Sequence, residues 1–94
     1  MNKTLLINRI NPQDFTQQKK NMFFLIGDMN VPAVEDKLVK VLNNSDLLDI
    51  TDIVYKYNGV ELQVDVQKIP KIIKLLSMSD LSIYSVYEIY EPEL

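Results

Sequence analysis

The chain has 94 residues, 47% of them hydrophobic and 24% charged, with a net charge of −3, four prolines, two glycines, and neither cysteine nor histidine. That length supports one core, and the composition is that of a folded globular domain rather than a disordered segment. Disulfides, thiolate metal sites, cysteine nucleophiles and imidazole proton shuttles are all excluded, which points to a non-enzymatic role.

Residues 1–21 carry Lys3, Arg9, Lys19 and Lys20 against Asp14, so they sum to +3 and the remaining 73 residues to −6. An acidic body repels a phosphate backbone, so no nucleic-acid partner is expected. The start, MNKTLLINRI, has no hydrophobic region long enough for export and no small-residue cleavage site, and the longest purely apolar run, Met22 to Ile26, is far shorter than the roughly 20 residues of a membrane helix. A cytoplasmic protein without a membrane partner is the expectation.

Lys3 to Ile10 is rich enough in Leu and Ile to form a short strand, and NPQDFTQQKKN (11–21) is polar, opens with Asn-Pro and predicts a loop. Residues 1–21 therefore form an N-terminal extension and residues 22–94 the main domain. The run MFFLIG (22–27) predicts a central strand buried on both faces. Asn30 is placed to cap a helix with Pro32 in its first turn; Val31, Val34, Leu38, Val41 and Leu42 recur at helical spacing, and Asn43 to Asp46 stops it.

Asn58-Gly59, between two β-rich runs, predicts a hairpin closed by a type I′ turn. That register sets Tyr57 opposite Val60, Lys56 opposite Glu61, Tyr55 opposite Leu62, Val54 opposite Gln63, Ile53 opposite Val64 and Asp52 opposite Asp65. One face is then apolar, and a Lys56 to Glu61 ion pair lies on the other. A second helix is predicted over 67–78, with Pro70 in its first turn and Ile69, Ile72, Ile73 and Leu76 opposite Lys68, Lys71 and Lys74. The last strand, SIYSVYEIY (82–90), sets Ile83, Ser85, Tyr87 and Ile89 on one face and Tyr84, Val86, Glu88 and Tyr90 on the other.

The order strand, helix, hairpin, helix, strand predicts an α+β, ferredoxin-like βαββαβ sandwich: a four-stranded antiparallel sheet with two helices on one face, and an N-terminal extension that can add a strand. At the first strand-helix junction, LIGDMNVPAVEDKLVKVL resembles the loop of the heavy-metal-associated domains of copper chaperones and metal-transporting ATPases, which place Met-x-Cys-x-x-Cys after a strand-end glycine. Here Met29 holds the methionine position, while Val31 and Val34 stand where the cysteines would be. The resemblance implies the scaffold without metal transport, since valine offers no lone pair, and no cofactor or metal is expected.

Met29 with Met22 or Met78 is read as core filling rather than as a thioether site for Cu(I). Asp28, Glu35 and Asp36 are read as a charged helix start, and the Asp52 and Asp65 carboxylates as a solvated pair rather than a catalytic one. The interaction candidates lie on the bare sheet face and in the extension: Phe24, Tyr84, Val86, Tyr90, Leu5 and Ile7. Either the extension covers that face, or a second copy or another protein docks there; the two are compatible. A protein-interaction module, homodimeric or accessory, is the leading expectation, and an ACT-like domain sensing an amino acid or metabolite is the alternative.

Overall fold

The computed structural model describes residues 10–89. Strand β1 is Lys19–Ile26, helix α1 Pro32–Asn43, strand β2 Ile53–Lys56, strand β3 Gly59–Asp65, helix α2 Ile69–Met78 and strand β4 Ile83–Glu88; short 3-10 turns, Ile50–Asp52 and Val66–Lys68, precede β2 and α2. The four strands form one antiparallel sheet in the order β2-β3-β1-β4. Each helix follows one central strand and precedes an edge strand, so the chain is an α+β domain of ferredoxin-like architecture.

The core lies between the sheet and the helices. Met22, Phe24 and Ile26 of β1 and Val60, Leu62 and Val64 of β3 alternate inward and meet Leu38 and Leu42 of α1 and Ile72 and Leu76 of α2, with Met29 and Leu81 joining the same cluster. The helical stripes are those the spacing predicts except at Val31, which caps α1 instead of lying in it and is 41% exposed. Val34, Val41, Ile69 and Ile73 pack around their margins.

Strand β1 is longer than its apolar run. Lys19, Lys20 and Asn21, expected in the loop, pair with Asp65, Val64 and Gln63, because a central strand bonds its neighbour through backbone groups whatever its side chains are. The segment before it is fastened to the α2 end of the sandwich: Gln67 Nε2 donates to the carbonyls of Pro12 and Asp14 at 2.8 and 2.9 Å, and Ile10 packs against the core.

Asn30 does not cap α1. The cap is Val31, whose carbonyl accepts the Val34 and Glu35 N–H groups at 2.9 and 3.2 Å, and the preceding loop turns on Asp28 at φ 60° with the Val31 N–H bonded to the Asp28 carbonyl. Pro32 follows directly, where a missing N–H is no loss.

The hairpin forms with a different register. Lys56 pairs with Gly59, Tyr55 with Val60, Val54 with Glu61 and Ile53 with Leu62, so the turn residues are Tyr57 and Asn58. Neither has positive φ, nor does Gly59, so the primed turn is not used. A shift of two residues leaves every β2 and β3 side chain on its predicted face. It also moves Gly59 into the sheet, where a Cβ would collide with the Phe24 carbonyl oxygen and lie 2.9 Å from Phe23 Cζ.

Strand β4 carries the second departure. Ser85 pairs with Leu25 but Ile83 with Ile26, so Tyr84 is an extra residue and the alternation changes phase there. Ile83 and Val86 both pack against the core, and Tyr87 emerges beside Phe23 on the helix-free face.

Candidate functional site

The helix-free face of the sheet is the candidate site. Its registers align Val54, Glu61, Phe23 and Tyr87 in one row across the four strands, and Lys56, Gly59, Leu25 and Ser85 in the next. The Phe23 and Tyr87 rings lie 5.5 Å apart at 44°, a tilted pair near the centre of the face. Phe23 is 8% exposed, whereas Tyr87 is 49%, Val54 44% and Tyr57, at the hairpin tip, 90% exposed. A shallow groove of about 590 Å³ runs over the ring pair, between the Tyr57-Asn58 turn and the end of β4 at Glu88 and Ile89.

Both glycines of the chain lie against aromatic rings. The Phe23 ring approaches Gly59, and a Cβ at Gly27 would lie 2.5 Å from Cε2 of Tyr84, whose ring is otherwise 73% exposed. A glycine gives a neighbouring ring room against the strand backbone.

Several candidates are therefore relocated. Phe24 is wholly buried in the helix-side core, so the β1 aromatic of the open face is Phe23. Val86 also turns to the core, because the β4 bulge reverses the predicted alternation. Tyr84 is exposed as expected, and Leu5, Ile7 and Tyr90 lie outside the described residues. Phe23, Val54 and Tyr87 were missed; the readable clue was the polar side of β3, Glu61 and Gln63, since whatever pairs with Glu61 shares its face.

At the positions where the sequence resembles a metal-binding loop, Met29 is 7% exposed within the core, Val34 packs at its margin and Val31 is 41% exposed. Among the described residues no three His, Cys, Asp or Glu side chains gather as a metal-binding group, and no helix is long and apolar enough to cross a membrane.

Asp52 and Asp65 are not opposite each other. Asp65 pairs across the sheet with Lys19 and lies 3.7 Å from Lys68, while Asp52, 8% exposed, accepts from Lys19 Nζ at 2.7 Å and from the Asp49 N–H at 3.2 Å. Burial pushes the Asp52 carboxyl up, but the hydrogen bonds from Lys19 and Asp49, with the Lys19 and Lys68 charges, outweigh it and hold its pKa below the ordinary 3.8. The bond to Asp52 holds the Lys19 ammonium above its ordinary 10.5. A depressed folded-state carboxyl stabilises the fold above its unfolded pKa, and that contribution disappears as pH falls through the folded value. Asp52→Asn is therefore expected to be less stable than wild type near neutrality, and to lose less of its stability on acidification below 3.8, as read by urea denaturation across that window.

Comparison with protein-family models, curated proteins and solved structures gave no match. The site's own chemistry is aromatic contact surface bordered by one ammonium group, Lys56, and two carboxylates, Glu61 and Glu88.

Proposed function

We propose that this chain is a non-enzymatic interaction module: a cytoplasmic protein with the heavy-metal-associated type of scaffold but no metal-binding capacity, which associates with itself as a homodimer or with another protein as an accessory subunit. The observation that carries this reading is the helix-free face, where Tyr57 and Tyr87 present exposed aromatic surface beside the Phe23 ring. Tyrosine gives large contact area at small entropy cost, and contiguous apolar surface on a small domain is characteristic of interaction surfaces. Valines at 31 and 34 favour a scaffold role over soft-metal transfer.

The test is sedimentation equilibrium of the whole chain up to high micromolar concentration. A reversible dimer weakened by Tyr87→Ser supports the proposal; a monomer throughout counts against the homodimer. The groove over Phe23 and Tyr87 favours a second reading, an ACT-like domain that binds an amino acid or metabolite, because its aromatic floor is bordered by an ammonium and two carboxylates, the mixed lining of a small-ligand site. That reading predicts a rise in melting temperature with one compound of a metabolite panel, and the interaction module predicts none.

A further inference from the structure

Lys56 and Glu61 were expected to neutralise each other across the hairpin. The observed register instead sets Lys56 opposite Gly59 and Glu61 opposite Val54, and neither side chain makes a hydrogen bond or ion pair among the described residues. Glu88, at the far side of the groove, makes none either. The face therefore carries charges of both signs, Lys56 exposed and Glu61 and Glu88 half-buried, on the border of an aromatic strip formed by Phe23, Tyr87 and Tyr57. Glu61 is only half-buried, and it stands within the row that holds Val54 and Phe23, where a covering apolar partner alone would desolvate a carboxylate without compensation.

A contact between identical surfaces related by a two-fold axis brings each patch onto its own copy, so an ammonium on one side of the axis meets whatever lies across from it. From this charge complementarity we infer that the occupant of the groove is a second copy of this chain, docked face to face, with Lys56 of each protomer paired to Glu61 of the other and the Phe23 and Tyr87 rings enclosed between them. The inference rests on the interaction-module reading and deepens it by naming the partner and the contacts. The like-charged bodies oppose association, so the two reciprocal pairs fix the orientation of the partner as well as adding attraction.

Charge exchange tests this on the full chain by sedimentation equilibrium, with far-ultraviolet circular dichroism as the check on folding. Lys56→Glu and Glu61→Lys each turn both pairs into like-charge contacts and are expected to weaken the dimer at least about tenfold, whereas the double variant, or an equimolar mixture of the two single variants, restores association to within about threefold. The milder Lys56→Gln and Glu61→Gln, which introduce no new charge, are expected to weaken the dimer by less in combination than the sum of their separate effects. A wild-type dimer indifferent to all four substitutions overturns the inference and leaves the module reading standing with its surface elsewhere. Weakening by the single variants without restoration by exchange also overturns it, because the two charges then do not meet. A monomer at every concentration removes the inference and the homodimer together.

Discussion

Gly59→Ala is expected to destabilise the fold by about 3 kcal/mol, and by more with larger side chains, which is the upper part of the range for overpacking a close-packed site. A single methyl group rarely does so much. Here it has no space to enter: the positions around a Cβ at 59 are occupied by the Phe24 carbonyl oxygen and by Phe23 Cζ at 2.9 Å. The carbonyl belongs to the backbone of β1, the central strand, and cannot swing aside as a side chain can. Moving it disturbs the β1 to β3 pairing at Phe24–Val60 and the bond from the Ile26 N–H to the Asn58 carbonyl at 3.0 Å. For a domain of this size the melting temperature should fall by on the order of 15 °C. Asn58→Ala is the control. With no positive φ at 58, alanine meets no backbone strain there, so its effect should stay below about 1 kcal/mol; a type I′ turn, which needs positive φ at both positions, would instead make the two substitutions cost similar amounts. Urea denaturation of the two variants separates the two roles for the Asn-Gly pair.

That contrast shows what the residues disclose and what they conceal. Periodicity of 3.6 named the buried stripes correctly, since Leu38, Leu42, Ile72 and Leu76 are all wholly buried, and the element order led directly to the sheet and helix arrangement observed. Period two also sorted the faces of β3, because Val60, Leu62 and Val64 alternate with Glu61, Gln63 and Asp65, and pairing with Leu62 and Val60 puts Ile53 and Tyr55 of β2 on the same side although Val54 between them is apolar. Register was less legible. Asn-Gly is a turn signal only when glycine is wanted for its backbone freedom, and at 59 it is wanted for lack of a side chain.

In β1 and β4 the alternation gave no sign of face. Met22 to Ile26 is apolar at every position, and the β4 bulge at Tyr84 has no residue signature, since a bulge takes an ordinary residue in a near-ordinary conformation. The candidate site straddles those two strands, which is why its members shifted by one residue: Phe23 for Phe24, and Tyr87 for Val86. A one-residue slip exchanges the faces of a strand. The loop before α1 went astray for a different reason, because the sharp turn at Asp28 displaces the helix start past Asn30, and a left-handed aspartate has no reliable pattern around it.

The exchange of Phe23 for Phe24 makes a pair of adjacent substitutions decisive. Phe24→Ala is expected to lower stability by about 3–5 kcal/mol, the range for emptying a closed aromatic site. The ring is 0% exposed, sits on the helix side of a central strand, and shares its cluster with Leu38, Leu42, Ile72 and Leu76, so both helices border the cavity and the strand backbone beneath it is held on two sides. Such a site collapses poorly. Against a total stability of about 5–14 kcal/mol for a domain of this length, the loss leaves a marginal or largely unfolded chain. Phe23→Ala is expected to behave differently, with a loss of about 1–2 kcal/mol, because the vacated space lies under an open groove and Tyr87, 5.5 Å away, has room to lean into it. Its main effect should appear in association, through loss of the ring at the centre of the face. Denaturation and sedimentation equilibrium on the two variants read these effects independently. Equal losses of stability at 23 and 24 would mean that the helix-free face is covered within the chain itself, and the helix-free face would then be core rather than contact surface.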